Sequence, residues 1–265
     1  MNERPIRLVQ ISDIHLFADK QKSLLGVKTY DSFVAILNHL SSNKKQPDHI
    51  ILSGDLSQDY SEASYTHLIN LLTKLTQPIY FIPGNHDQPI LINHFFPQKN
   101  ISNLKQIILN NWQLILLDSQ KPSEVYGYFE KTQLEFLEKC LSEYPKHRSI
   151  IFFHHHPVPV GSRWLDQLGV VNADDFWALL KNFSNVHTIF FGHVHQQHEG
   201  SKQNIKYYSV PSTCIQFKTN SAEFSLENLP QGYRWIDLYP DGQLKTGIVR
   251  LDQYIGEFQQ DAKGY

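Results

Sequence analysis

The sequence predicts a sheet-rich α/β domain, and three observations carry that prediction. Short, nearly continuous apolar runs rich in β-branched residues alternate with segments of helical period. Beyond about residue 205 the pattern turns to strands and a hairpin. Motifs of acid, histidine and glycine stand at the carboxyl ends of five of the apolar runs.

The runs cover 6–11, 49–52, 79–82, 112–117, 149–153 and 188–191. Because they are continuous rather than alternating, they read as strands buried on both faces. Between them the spacing predicts helices. Residues 31–40 carry Phe33, Ile36, Leu37 and Leu40 on one stripe. Residues 61–75 open with Ser61 as a cap and align Leu68, Leu71, Leu72 and Leu75. Thr132-Gln133-Leu134-Glu135 reads as a capping box before Leu137, Cys140 and Leu141. In 172–183, Phe176, Leu179, Leu180 and Phe183 recur at i, i+3, i+4 and i+7. Strands follow over 206–210 and 233–239, the second leading through Pro240-Asp241-Gly242 into 243–251, a hairpin signal. With no internal repeat or linker, 1–265 reads as a single domain with a C-terminal β-hairpin extension at about 205–255.

Composition narrows the function. A 265-residue chain with 41 % hydrophobic and 12 % aromatic residues can pack a sizeable core. The formal net charge of −2 lacks the basic excess that long nucleic acid requires. If phosphate is the target, metals rather than a basic surface must supply positive charge. Two cysteines, Cys140 on a predicted helix and Cys214 beside a loop, imply no disulfide framework and fit reduced thiols in a cytoplasmic protein. No apolar signal follows Met1-Asn2-Glu3-Arg4-Pro5, and no stretch approaches the ~18 apolar residues of a membrane span. The expectation is a soluble, cytoplasmic protein without a membrane partner.

The chemistry lies in the five motifs: Asp13-Ile14-His15, Gly54-Asp55, Gly84-Asn85-His86-Asp87, His154-His155-His156 and Gly192-His193-Val194-His195. Carboxylate and carboxamide oxygens with several imidazoles suit a two-metal hydrolytic centre. In open α/β sheets, sites form outside the carboxyl ends of strands, so motifs distant in sequence can meet there. Asp13 and His15 can point at one ion. Gly54 permits a tight turn and close approach before Asp55. Asn85 offers a neutral oxygen, with His86 close by without needing to bind a metal. One ligand is expected from the triplet 154–156. His193 and His195, two apart in an extended segment, would point to the same side.

These blocks, D-x-H, G-D, G-N-H-D, H and G-H-x-H in order from Asp13 to His195, resemble the calcineurin-like metallophosphoesterases. Within that superfamily the chain is similar to bacterial class III 3′,5′-cyclic-AMP phosphodiesterases over nearly its whole length. The further segments are His15-Leu16-Phe17 with Leu24-Leu25-Gly26-Val27, Leu116-Leu117-Asp118-Ser119-Gln120, Trp164-Leu165-Asp166-Gln167 and Pro211-Ser212-Thr213-Cys214. The resemblance implies two facing mixed β-sheets flanked by helices, a four-layer α/β/β/α sandwich. It also implies two metals bridged by Asp55, the first completed by Asp13, His15 and His195, the second by Asn85, His155 and His193. His155 is chosen because the family ligand stands two residues before a proline, here Pro157.

The implied activity is hydrolysis of 3′,5′-cyclic AMP to 5′-AMP by a metal-bridging hydroxide, lowering cellular cyclic AMP. Two divalent ions, less the charges of Asp13, Asp55 and hydroxide, leave about +1 to attract a phosphodiester. His86 is placed to protonate the departing 3′-oxygen, making His86 and Asp55 the catalytic candidates. His15, Asp55, Asn85, His86 and His195 are expected to contact substrate. The resemblance favours iron(II), with manganese or mixed-valence iron as substitutes. Trp164 and Phe217 are candidates for a purine pocket, and oligomeric state is left open. The alternative is a dinuclear enzyme for another small phosphodiester or pyrophosphate, or a nuclease. The segment Leu56-Ser57-Gln58-Asp59 lacks the arginine of protein serine/threonine phosphatases. An interaction module that lost its metals would not have kept every ligand.

Overall fold

The computed structural model describes residues 4–264. Residues 1–3, and with them part of the N-terminal segment read as lacking a signal, lie outside the described residues. In chain order the strands are β1 (Ile6–Ile11), β2 (Ser23–Leu24), β3 (Val27–Lys28), β4 (His49–Ser53), β5 (Ile79–Ile82), β6 (Ile101–Ser102) and β7 (Gln106–Leu109). They continue as β8 (Trp112–Leu116), β9 (Arg148–Phe153), β10 (Val186–Phe191), β11 (Glu199–Lys202), β12 (Ile205–Ser209), β13 (Gly232–Leu238) and β14 (Leu244–Arg250). The helices are α1 (Thr29–Ser42), α2 (Glu62–Leu72), α3 (Pro89–Phe95), α4 (Lys131–Glu143) and α5 (Ala173–Leu180).

Two mixed six-stranded sheets result. The first runs β14-β13-β1-β4-β5-β6 and the second β11-β12-β10-β9-β8-β7. The centres of both are parallel, β1-β4-β5 in one and β8-β9-β10-β12 in the other. All of them except β12, which is only partly buried, are the continuous apolar runs, covered on both faces as a parallel sheet requires. The expected C-terminal strands part company. β12 pairs in parallel with β10 in the second sheet, whereas the β13–β14 hairpin lies antiparallel against β1 in the first.

The sheets face each other. Leu8, Ile51, Ile82 and Ile236 of the first share one core with Leu114, Ile150, Phe152 and Phe190 of the second. Polar ties cross the same gap: Gln10 donates to the Phe191 carbonyl, and buried Arg234 donates from Nε to the Ser209 carbonyl. Outside the first sheet, Phe33, Ile36 and Leu40 of α1 with Tyr65, Leu68 and Leu72 of α2 cover Val9, Ile11, Ile50 and Leu52. α4 and α5 bury Leu137, Cys140, Leu141, Phe176 and Trp177 with the second sheet's residues.

Local signals were realised unevenly. Ser61 caps α2, its side chain accepting from the Ser64 amide. The capping box at Thr132 does not form, because α4 begins at Lys131 and its N-cap, Glu130, makes no side-chain cap bond. Asn172 precedes α5, but its amide clamps the backbone of Phe129 at both N–H and carbonyl instead of capping. Both cysteines are free and buried. Among the described residues no helix is long and apolar enough to cross a membrane.

Candidate metal centre

All five motifs sit where a central parallel strand ends: Asp13 after β1, Asp55 after β4, Asn85 and His86 after β5, His154 after β9, and His193 after β10. The sheets converge at this edge, so the motifs meet between them. The backbone departs sharply from extended geometry to achieve this. Asp13, His15, Asp55, His193 and His195 all take positive φ, from 46° to 66°. Such left-handed non-glycine residues are costly unless the surroundings fix them, and they gather at functional sites. The extended segment expected at His193 and His195 is therefore a tight turn, which sends the two imidazoles to adjacent clusters. Gly54, at φ 99°, makes the matching turn before Asp55, and a Cβ there would strike the His154 ring. Gly84 is packed as closely, against Asp55 and His154.

Two groups of ligand-type atoms form, each within 4.8 Å of one another: Asp13, His15, Asp55 and His195, and beside them His154, His155 and His193. Asp55 joins the two. Its Oδ2 lies 3.6 Å from His15 Nε2 and 3.3 Å from His154 Nε2, while Oδ1 accepts the His86 amide at 2.8 Å. Asn85 and His86 line the same cavity as His193. The structure thus brings together every residue singled out from the sequence. His154, the first residue of the triplet, joins them with its Nε2 against Asp55.

The donor set fits cations. His15 Nδ1 donates to Gln58 Oε1, and His195 Nδ1 donates to the Ile215 carbonyl. Each ring then presents a lone pair on Nε2, and the two Nε2 atoms face each other at 3.3 Å. His195 Nε2 also lies 3.3 Å from Asp13 Oδ1. Asp13 Oδ2, Asn85 Oδ1, His155 Nε2 and His193 Nε2 are buried without hydrogen-bond partners among the described residues. Electron pairs pressed together with no intervening proton repel, and a metal ion between them turns that repulsion into coordination.

Burial sets the protonation states. It lowers His15 to about 3 and holds His155 and His193 well below the usual imidazole range, leaving neutral, ligating rings. Burial alone would raise Asp55, yet His154 and His86 hold it well below the ordinary carboxylate range. Burial alone would likewise lower His154, but the Asp55 carboxylate raises it to about 9. Burial and then the Asp55 charge push Asp87 up to about 7, against amides of Gly84 and Leu56 and the Tyr65 hydroxyl, which hold it ionised.

Several residues of the quoted segments have supporting roles that their motifs do not announce. Gln58 orients His15, and Ser119 Oγ lies 2.9 Å from His155 Nδ1. Asp87 fastens the Gly84 turn to the one before it. The available signal was the need of each ligating histidine for a partner on its other nitrogen. Cys214 Sγ stands near His15 and His195, although the motifs carry no thiolate. Burial pushes its thiol up to about 12, and its Sγ accepts from Ser212 Oγ at 3.1 Å.

A fold of two facing sheets with an acid–imidazole cluster at their shared edge defines a metal-dependent phosphoesterase scaffold. The family model for calcineurin-like phosphoesterases matches residues 6–197, and the chain belongs to that family. The family and the cluster together assign it two metal ions. A 3′,5′-cyclic adenosine monophosphate phosphodiesterase, CpdA, of Vibrio vulnificus is 38 % identical over 268 residues, covering 100 % of this chain and 97 % of its own. The enzyme of the same description from Pseudomonas aeruginosa is 36 % identical over 261 residues, covering 98 % and 95 %. Among solved structures, a dimetal phosphatase from Danio rerio superposes with a TM-score of 0.65 at 13 % identity, over 94 % of this chain and 99 % of that one. At that identity the likeness speaks to fold alone.

Proposed function

We propose that this protein hydrolyses 3′,5′-cyclic AMP to 5′-AMP. The observation that carries the reading is Asp55, one carboxylate within 3.6 Å of imidazoles from both clusters, in a chain alike from end to end to cyclic-AMP phosphodiesterases. On this reading Asp13, His15, Asp55 and His195 hold one ion, and Asn85, His155, His193 and Asp55 the other. Imidazole with carboxylate oxygen suits iron(II), with manganese a working substitute.

When bound, such a pair of ions supplies the positive charge that draws in a phosphodiester and lowers the pKa of water toward ~7. The remaining work falls to the chain. His15, Asp55, Asn85, His86 and His195 surround the phosphate. The His86 amide is fixed on Asp55 Oδ1, and its ring stands edge-on to His15 at 5.1 Å and stacks on Tyr60 at 6.3 Å. That posture leaves the imidazole to hand a proton to the 3′-oxygen as the phosphorus–oxygen bond breaks. Water contributes the new oxygen on phosphorus, and the ring opens to the 5′-monophosphate.

The test is a turnover screen of iron- or manganese-loaded protein against cyclic nucleotides, linear phosphodiesters, pyrophosphates and phosphomonoesters. Cyclic AMP is expected to be cleaved with the highest kcat/KM. Preference for a linear diester or a pyrophosphate would overturn the substrate while keeping the dinuclear site.

A further inference from the structure

Resting on the cyclic-nucleotide reading, we propose that Trp164 recognises the purine. The base lies in an aromatic corner beside the metal centre, and the Trp164 indole N–H donates to a ring nitrogen of adenine.

A cavity of about 280 Å³ adjoins the cluster, and its walls are of two kinds. Asn85, His86 and His193 form the polar side. The other side is apolar, with Trp164, Leu168, Phe217 and Phe224 and no charged residue. The size sits at the lower end for small-ligand sites, ~300 Å³ and above, which suits one moiety of a ligand rather than the whole. An uncharged wall suits a neutral base, while the phosphate belongs with the cluster next to it.

The rings are fixed to the chemistry. Phe217 lies flat on the His195 imidazole, with centroids 4.2 Å apart and planes 9° apart. Trp164 meets Phe217 edge-on at 5.0 Å and 78°, and meets Phe224 at 5.1 Å and 62°. Three rings at steep mutual angles make a corner with a flat face for a base to stack on. The loop behind Trp164 is tied, since Asp166 accepts the Val160 amide at 2.6 Å and donates its own amide to the Ser162 carbonyl.

The donor is what makes Trp164 specific. Two other buried indoles have their N–H groups satisfied, Trp112 by the Tyr239 carbonyl and Trp177 by the Pro157 carbonyl. Trp164 is only half-buried as a whole, yet its Nε1 is buried and has no hydrogen-bond partner among the described residues. Indole can only donate, and adenine carries acceptors at N1, N3 and N7, whereas guanine bears hydrogen at N1. A buried donor left waiting beside an apolar stacking corner matches a purine acceptor and rejects a purely hydrocarbon occupant.

Metal-loaded wild type and Trp164→Phe, which keeps a ring and removes the donor, are compared on cyclic AMP and on methyl p-nitrophenyl phosphate, which has no base. The variant is expected to raise KM for cyclic AMP by roughly 5- to 100-fold, with kcat changed far less. The ratio of kcat/KM for cyclic AMP to that for the simple diester should fall by the same factor. Adenosine, which is not turned over, is expected to quench tryptophan fluorescence in wild type, and that quench is expected to vanish in the variant. Against wild type alone, one of 1-, 3- and 7-deazaadenosine should compete more weakly than adenosine, marking the nitrogen that accepts. An unchanged ratio, no adenosine quench, or three deaza analogues that compete like adenosine would each overturn the assignment. Wild type that cleaves the simple diester but not cyclic AMP would instead overturn the cyclic-nucleotide reading.

Discussion

His15 Nε2 and His195 Nε2 approach each other to 3.3 Å while the opposite nitrogen of each ring donates a hydrogen bond elsewhere. The tautomers are therefore set from outside the cluster, by the Gln58 side chain and the Ile215 carbonyl. Both lone pairs are aimed inward before any ion arrives, so affinity depends on the outer partners as well as on the ligands.

Gln58 is the partner that mutation can reach. Gln58→Ala should free the His15 ring and weaken metal binding by roughly 10- to 100-fold, the usual effect of losing such an orienting group. Gln58→Glu, which still offers an acceptor to Nδ1, should recover most of it. Competition with a chelator of known affinity measures both. Equal affinity in wild type and Gln58→Ala would mean that packing alone orients His15.

The histidine triplet separates by metal content. His155, held at Nδ1 by Ser119 Oγ 2.9 Å away so that Nε2 is left for coordination, should lose about one ion per chain on substitution by alanine. His156 stacks on His193 with planes 17° apart, and His156→Ala should keep both ions. His154→Ala should also keep both while removing the contact at 3.3 Å that steadies Asp55. Elemental analysis decides among them. Loss of an ion from His154→Ala, with His155→Ala intact, would move the ligand by one residue.

What could be read from the sequence follows from burial. β1, β4, β5, β9 and β10 are covered on both faces, so their apolar runs are continuous and their carboxyl ends mark the motifs. β7 and β11 lie at the edges of the second sheet, where Ile108, Glu199 and Ser201 are exposed, and mixed composition hides them. α3 is only seven residues long, too short for a period to register. At the cluster, residue types indicate the chemistry, but not the course of the backbone. The positive φ of His193 and His195 is imposed by tertiary contacts, and no local spacing announces it. The roles of Gln58, Ser119 and Asp87 are hidden from local sequence for a related reason. Each acts across the fold, on a partner about 30 to 43 residues away.

Asp87 gives a prediction about stability. It is buried, and its carboxylate accepts from the Leu56, Ser57 and Gly84 amides and from the Tyr65 hydroxyl at 2.9–3.2 Å. Asp87→Ala strands these donors at once, and each buried orphan costs about 1–3 kcal/mol. The metal-free variant should lose about 3 kcal/mol or more in urea unfolding. Asp87→Asn keeps one acceptor oxygen and should fall between it and wild type. A loss below about 1 kcal/mol would mean that water replaces the carboxylate cheaply.

His86 gives the sharpest test of mechanism. Its amide is anchored on Asp55 at 2.8 Å, and its ring stands between His15 and Tyr60, close to the cluster without belonging to either group of ligand atoms. A 3′-alkoxide leaves poorly unless it is protonated, because its conjugate acid is far weaker than a nitrophenol. His86→Ala should therefore keep both ions and lose roughly 10²–10⁴ in turnover on cyclic AMP, the range of general acid catalysis. On a nitrophenyl phosphodiester the loss should be much smaller, since that group departs without a proton. Turnover numbers for both substrates, in wild type and variant at matched metal content, make the comparison. Equal losses would assign His86 to holding the phosphate, because charge stabilisation serves both substrates alike. A loss confined to the alkoxide substrate leaves proton donation as the role that fits, since only that step differs between them.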